Sequence, residues 1–362
     1  MGLWQCPMEG LELRRDFWNG RRVFLTGHTG FKGSWLALWL VDMGAEVHGY
    51  ALPPEQEDGL YALTGVSESI ASEVLADIRD SSQLQAALRA CEPEIVLHLA
   101  AQPLVRASYR DPVETYSTNV MGLVALLEAV RAAPGVRAMV NVTTDKCYEN
   151  REWVWPYREN EALGGHDPYS ASKACAEIVT ASYRQSFLSK LGIELASARA
   201  GNVIGGGDRA SDRLVPDFLR ALDANQTLIL RNPSATRPWQ HVLEPLSGYL
   251  MLAEALAEQG SPFAEAWNFG PEPVDVRSVG DVASFLADAA DAPAWQLASG
   301  AEPHEAQSLA LDSSKARSRL GWQSRWPIEE ALRHTLDWHL AWKGGSDMAA
   351  FSLDQIRKFE AS

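Results

Sequence analysis

Tyr169 and Lys173 stand four residues apart in a run from Tyr169 to Leu191 whose pattern predicts a helix, so both side chains share one face. An ammonium beside a phenol favours the phenolate. A phenolate so placed takes the proton of a substrate alcohol while hydride leaves the same carbon. Thr144, at the end of an apolar run, offers a hydroxyl to the same alcohol. Asp145 and Lys146 follow it directly. Simple alcohol oxidation needs neither an acid nor a base there, whereas loss of water beside a new ketone needs both. Oxidation of an alcohol to a ketone makes the proton on the neighbouring carbon acidic; a base removes it, an acid helps a hydroxyl on the next carbon leave, and hydride returns to that carbon. Asp145, if protonated, would be the acid. Lys146 would be the base if neutral, a state that burial or nearby cations favour. Alone, Tyr169 and Lys173 read better as an exposed helix pair, and Asp145-Lys146 has a loop ion pair as its alternative, so the elements that place them decide.

Those elements alternate. Arg22-Val-Phe-Leu-Thr26 predicts a strand, Ser34 to Met43 a helix ended by Gly44, and Glu46 to Leu52 a second strand stopped by Pro53-Pro54. Further strands are expected at Glu73–Asp77, Glu94–Ala100, Val136–Thr143 and Glu194–Ala200, with helices at Ser81–Ala90, Thr118–Ala132 and Tyr169–Leu191. Nearly continuous apolar strands separated by helices imply a parallel sheet covered on both faces. After Ala200 the pattern loosens into mixed helices and short strands. The fold class expected is α/β, a Rossmann-type doubly wound parallel sheet with a smaller mixed α/β C-terminal substrate lobe. Its divisions are an N-terminal extension at 1–16 and a dinucleotide domain at 17–200, to which 238–260 return. A lobe at 201–237 and 261–343 and a tail or surface helix at 344–362 complete it.

Gly27-x-x-Gly30-x-x-Gly33 joins the first strand to the first helix. In that context Gly27 permits the tight turn, Gly30 lets the backbone approach a pyrophosphate and Gly33 lets helix and strand pack closely. The helix N-terminus offers N–H donors to the diphosphate. His28, Phe31 and Lys32 fill out this turn. The second strand ends in Gly49-Tyr-Ala-Leu-Pro53, with no acid for the ribose hydroxyls and no arginine for a 2′-phosphate; Lys32 is the nearest cation. NAD is the cofactor expected, although that strand end does not discriminate it from NADP.

Composition narrows the class. The chain has 362 residues, 46% of them hydrophobic and 22% charged, ordinary for a globular protein. A formal charge of −15 argues against nucleic acid or anionic membranes as partners. No run of eighteen apolar residues predicts a membrane span, and the first twenty residues, which include Glu9, Glu12, Arg14, Arg15 and Asp16, do not read as a signal peptide. Cys6, Cys91, Cys147 and Cys175 form no Cys-x-x-Cys, and no His-x-x-x-His pair is present, so no metal site is expected and a reducing cytoplasm is the default.

The glycine spacing resembles that of the short-chain dehydrogenase/reductase superfamily, and the chain length that of its extended branch. By that resemblance Asp77-Ile78 contacts adenine and Leu99-Ala100-Ala101 lies along the cofactor. The likeness narrows over Phe17-Trp18, Thr26 to Trp35, Thr144-Asp-Lys-Cys-Tyr-Glu-Asn150, Arg151 to Trp155, Asp167-Pro-Tyr-Ser170 and Arg237-Pro-Trp-Gln-His-Val242. Together these resemble the CDP-D-glucose 4,6-dehydratases, from about Phe17 to Trp342. Dehydratases of dTDP- and GDP-sugars carry Asp-Glu where this chain has Asp145-Lys146. The resemblance implies CDP-D-glucose as the substrate and CDP-4-dehydro-6-deoxy-D-glucose as the product, a step toward deoxysugars of bacterial surface polysaccharides. It also implies a homodimer, with a tetramer as the larger alternative, through the helices Thr118–Ala132 and Tyr169–Leu191.

A nucleotide diphosphate needs charge-assisted donors. By resemblance Arg237 holds the diphosphate and Asn202 contacts the sugar nucleotide; Arg213 and Arg106 are further candidates. Trp153 and Trp155 either close over the sugar or pack. The alternatives are a dehydratase for another nucleotide hexose, a nucleotide-sugar 4-epimerase or reductase of the same fold, and a non-catalytic cofactor sensor. A sensor would be expected to have lost Tyr169 or Lys173.

Overall fold

The computed structural model describes residues 13–298 and 309–362. Seven strands build one sheet: β1 (Arg22–Thr26), β2 (Glu46–Ala51), β3 (Ser72–Leu75), β4 (Ile95–His98), β5 (Ala138–Val142), β6 (Glu194–Ala200) and β7 (Ala266–Phe269). Their spatial order is β3-β2-β1-β4-β5-β6-β7, and every pairing is parallel. Side chains alternate along a strand, so each strand feeds two cores. Val23, Leu25, Leu97, Val140 and Ala198 enter one core, against Trp35, Leu36 and Trp39 of α1 (Phe31–Asp42) and Leu246, Tyr249 and Leu250 further along the chain. Phe24, Val96, Met139 and Leu195 enter the other, against Leu84 and Leu88 of α2 (Ser81–Cys91) and Leu123, Leu127 and Val130 of α3 (Gly122–Arg131). Two buried faces explain why the strands read as continuous apolar runs rather than alternating ones.

Helix starts follow local chemistry. The Asp80 side chain accepts the N–H groups of Ser82 and Gln83 at the start of α2. Asp167 accepts Ser170 N–H at the start of α4 (Pro168–Ser186), and Pro168 occupies the first turn. That cap fixes where the helix bearing Tyr169 and Lys173 begins. The expected helix Thr118–Ala132 is longer and interrupted: Asp111 caps a helical segment Pro112–Tyr116, a π turn spans Ser117–Met121, and α3 continues from there. Helix α5 (Leu243–Gln259) starts earlier than the expected Leu246 and packs under β5 and β6.

The second lobe gathers around Ile204, Val215, Phe218, Leu230, Trp239, Leu286, Leu332 and Leu336. Two of its features depart from the sequence expectation. Trp267-Asn-Phe269, assigned there to the lobe, belongs to β7 and extends the main sheet beside β6. Of the tail and the surface helix expected at 344–362 the helix forms, and it is more than superficial: α7 (Met348–Ala361), which follows α6 (Ile328–Lys343), buries Ile356 and Phe359 against the first core. Trp39 of α1 meets Phe359 edge-on at 5.7 Å and donates its indole N–H to Glu360 at 2.8 Å. The expected N-terminal extension lies mostly at 1–12, outside the described residues. Arg15, within its stated bounds, pairs with both Asp42 and Glu360 at 2.6 Å.

Candidate active site

The carboxyl ends of β1 and β4 lie side by side, where the chain turns from one half of the sheet to the other and where such folds bind ligands. The glycine turn leaves β1 here. Gly27 has φ +78°, and a Cβ on it would lie 2.8 Å from the backbone nitrogen of Ala100. The Leu99-Ala-Ala101 turn is therefore packed against the glycine turn, held by Thr26 Oγ1, which accepts Leu99 N–H and Ala100 N–H at 3.2 Å each. A Cβ on Gly33 would sit 2.0 Å from the Gly27 carbonyl oxygen, whereas one on Gly30 would meet nothing nearer than 3.4 Å. Gly27 and Gly33 are thus required by packing, and Gly30 leaves space at the N-terminus of a twelve-residue helix that has no side-chain cap. This cradle fits a dinucleotide pyrophosphate. Gly33→Ala is expected to force the turn apart, costing about 1–3 kcal/mol of stability together with cofactor affinity. Thermal unfolding and a fluorescence titration with NAD check this.

His28 is fully buried, its Nε2 2.8 Å from Glu73 Oε2, and burial lowers its proton affinity. A Cβ on Gly49 would strike its ring at 2.6 Å. The strand end that lacks an acid is thus packed on His28. The nearby carboxylate of Glu73, on β3, is already engaged by His28 and by the Tyr61 hydroxyl at 2.8 Å. Lys32 does not serve that strand end. Its charge interacts with Arg213, Lys173, Asp145 and Asp208, and burial, with the first two of these, pushes it down to about 7. Asp77 has both oxygens held by Arg79, which also reaches Glu114. Asp80 rather than Asp77 caps α2. Ile78 is buried against Gly122.

Thr144, Asp145 and Lys146 follow β5, and Asp145–Cys147 form a 3₁₀ turn that Thr144 caps by accepting Lys146 N–H at 3.4 Å. The Thr144 hydroxyl donates to Asp145 Oδ1 at 2.9 Å. Burial pushes the Tyr169 phenol up to about 12, and the nearby Thr144 hydroxyl leads the opposing effects. Lys173 lies one helical turn from Tyr169 on α4, as the spacing predicts. Its ammonium donates to the Val142 carbonyl at 3.3 Å, and burial pushes it down to about 8. Asp145 is fully buried, and its Oδ2 has no partner among the described residues. A Cβ on Gly201 would lie 3.2 Å from that oxygen and 2.5 Å from Pro238, so the second lobe closes directly over the carboxyl. Lys146 is half-buried on the same turn.

The lobe brings the arginines. Arg213 pairs with Asp208 at 3.1 Å, and Arg106 shares Asp212 with Arg231, each at 3.4 Å. Arg237 lies in a short ribbon opposite Arg277 and donates to the Thr236 carbonyl at 2.8 Å. Asn202 has a buried Oδ1 with no partner among the described residues. Trp153 stacks on Tyr157 at 5.4 Å, while Trp155 is largely exposed. His241 is buried between Trp35 and Trp326.

Three features carried no signal of their own in the sequence. Asn119, in the π turn, accepts Gln102 N–H at 2.8 Å and donates to Ser172 Oγ at 2.9 Å, clamping the turn after β4 to α4. Single π turns commonly mark such sites. Tyr249 is fully buried; its hydroxyl has no partner among the described residues, and burial, with Tyr169 and Asp145 nearby, raises its proton affinity. Arg231 joins the arginine cluster from the segment after Leu230. Glu177 went unread as well, although its place one helical turn beyond Lys173 was a signal that could have found it.

The sequence profile described as GDP-mannose 4,6 dehydratase matches residues 24–266, about two thirds of the chain. The chain belongs to the GDP-mannose 4,6 dehydratase family. Within it, the chain is 51% identical to the CDP-glucose 4,6-dehydratase of Salmonella typhimurium, over 95% of its own length and 98% of that protein's. Its fold resembles that of the Streptomyces venezuelae dTDP-glucose 4,6-dehydratase with NAD and TYD bound, at a TM-score of 0.78 and 24% identity, covering 90% and 98% of the two chains. It also resembles the Thermotoga maritima UDP-glucose 4-epimerase with UDP-glucose, at a TM-score of 0.76 and 22% identity, covering 87% and 97%. Epimerases and dehydratases therefore share this architecture, and what separates them must lie in the site.

Proposed function

We propose that this chain converts CDP-D-glucose to CDP-4-dehydro-6-deoxy-D-glucose, using NAD as a bound catalytic cofactor. The observation that carries the reading is the Thr144 hydroxyl, which links the redox phenol Tyr169 to the carboxyl Asp145, with Lys146 next on the same turn. An alcohol oxidation and a water elimination then share one substrate pose. The 51% identical relative supports cytosine as the base. Helix N-terminus, glycine cradle and the buried, unpartnered oxygens of Asp145 and Asn202 fit a nicotinamide dinucleotide and a nucleotide sugar.

NAD, when bound, supplies the acceptor for hydride from C4 and the source of hydride for C6. Tyr169, as phenolate, takes the C4 hydroxyl proton, and Thr144 supports that anion. Lys146 takes the C5 proton, which the adjacent C4 ketone has made acidic. Asp145 gives its proton to the departing C6 hydroxyl, and its buried Oδ2, without a partner among the described residues, is open to that oxygen. Arg213, Arg237 and Arg106 hold the diphosphate.

Turnover in deuterium oxide tests this chemistry. A dehydratase product carries solvent deuterium at C5 and has lost the C6 hydroxyl. A C4 epimer without deuterium would overturn the reading in favour of an epimerase.

The protein's working form in this reading is a homodimer. Val113, Met121 and Ile178 are 77%, 58% and 58% exposed on the segments Pro112–Tyr116, Ser117–Met121 and α4. Val113 and Met121 share one apolar groove with Tyr116, Val120 and Cys175 of α4, and Ile178 is exposed on that same helix, one of the two expected to pair. Met121→Glu is expected to convert dimer to monomer, read by light scattering after size exclusion; an unchanged mass would place the interface elsewhere.

A further inference from the structure

We propose that Glu177, held by Arg199, is a positioning residue that supplies a buried counter-charge one helical turn from Lys173 and ties that helix to the turn bearing Asp145 and Lys146. This rests on the function proposed above. Both side chains of the Glu177–Arg199 pair are 3% exposed, with 2.7 Å between Oε2 and Nη2. Glu177 Oε1 accepts the Thr143 hydroxyl, and Oε2 also accepts Ser197 Oγ at 2.6 Å. Arg199 Nη1 donates to the Tyr148 hydroxyl at 2.7 Å and to the Glu159 carbonyl at 3.2 Å. Its guanidinium also lies 4.9 Å from the Tyr148 ring centroid. Tyr148 in turn donates to Asn268 Oδ1 at 2.7 Å. Thr143 and Tyr148 flank Thr144, Asp145 and Lys146, so the pair grips both ends of the segment that performs the elimination. At its other side Glu177 stands one helical turn from Lys173.

A buried ion pair contributes little to stability relative to apolar residues of similar size. Its presence here is better explained by the charge it neutralises. Lys173 is a buried ammonium that donates a hydrogen bond to a neutral carbonyl. Burial lowers its proton affinity, and Glu177 is foremost among the groups that oppose this. The other ionisable groups facing Lys173 are the buried Cys147 thiol on the 3₁₀ turn, Lys32 on α1 and His98 on β4. His98 is pushed down to about 3 by burial, so it is neutral at working pH. Arg199 and Arg184 are the cations facing Glu177 itself. Removing the Glu177 charge therefore lets Lys173 lose its proton at lower pH. The alkaline limb of the oxidation step, which falls as Lys173 becomes neutral, then moves toward acid.

The test compares NAD-loaded wild type, Glu177→Gln, Glu177→Gln/Arg199→Met and Glu177→Asp. The double variant removes the arginine that the single one strands. Thermal unfolding reports the fold. The absorbance of reduced nicotinamide after mixing with CDP-glucose, measured across pH, reports the oxidation. In the double variant the alkaline limb is expected to move down by about one pH unit or more, tenfold in rate at fixed pH above the limb, with KM changed much less. Glu177→Asp should restore most of the shift. An unmoved limb in a folded double variant overturns the proposal. So does failure of both charge-removing variants to fold while Glu177→Asp folds with a wild-type limb, since the pair is then a folding element. Wild type giving no signal with any nucleotide glucose would instead strike the functional reading.

Discussion

Lys146→Ala is expected to abolish exchange of the substrate C5 proton with solvent while leaving oxidation at C4 intact. Steady-state turnover should fall by about 10³-fold, within the 10²–10⁴ range that a positioned acid or base supplies. Lys146 is half-buried on the 3₁₀ turn beside Asp145 and makes no part of either sheet core. Its truncation should therefore cost little stability, and the loss is read as chemistry. The signature is a trapped first half-reaction, in which reduced nicotinamide forms on mixing and persists. Proton exchange measured by mass spectrometry at wild-type rate in this variant would assign the base elsewhere.

Tyr169→Phe is expected to remove the first half-reaction itself. Phenylalanine keeps the buried ring and its packing but gives up the hydroxyl beside Thr144. Thr144 retains Asp145 as a partner, so the stability change should stay within about 1.5 kcal/mol. The C4 hydroxyl then has no acceptor for its proton. A loss of about 10³–10⁴-fold in kcat, roughly 4–5 kcal/mol of barrier, should appear with no reduced nicotinamide on mixing and with substrate affinity retained. The two variants thus separate in one experiment. Lys146→Ala gives the nicotinamide signal without exchange, and Tyr169→Phe gives neither. A Tyr169→Phe protein that still reduced its cofactor would mean that another group accepts the proton, and Tyr249, buried next to Tyr169 and Asp145, would be the first to examine.

The sheet was legible in the sequence because burial on both faces writes each strand as an apolar run. The glycine turn was legible because two of its glycines answer to contacts of 2.0 and 2.8 Å that no side chain survives. The edge strand Ala266–Phe269 was not, since its partner Glu194–Ala200 lies more than sixty residues earlier and nothing local marks the crossover. The docking of α7 escaped for a related reason. Ile356 and Phe359 are ordinary amphipathic positions until Trp39 is seen across from them. In the site, Tyr169, Lys173 and Thr144-Asp-Lys146 declared themselves by type and spacing. Asn119 did not, because an asparagine in a π turn has no periodic signature. Lys32 was readable as a cation, but its direction was not. Only the closure of the second lobe, with Arg213 and Asp208, places its charge with Lys173 and Asp145 rather than at the end of β2.

Arg199 shows the same limit from another side. In sequence it is one residue in a strand; in the fold it joins Glu177, Tyr148 and the Glu159 carbonyl behind the catalytic turn. Pairwise spacing on a helix can be read from a chain. A network that crosses from a helix to two strands and a loop emerges only when the sheet is assembled.

The most direct test of the proposed activity is to give the NAD-loaded protein CDP-, UDP-, GDP- and dTDP-glucose separately and to follow the 4-keto-6-deoxy product by mass. Product from CDP-glucose at a rate well above the other three is the expected result. Turnover of another nucleotide glucose with none from CDP-glucose would contradict the assignment.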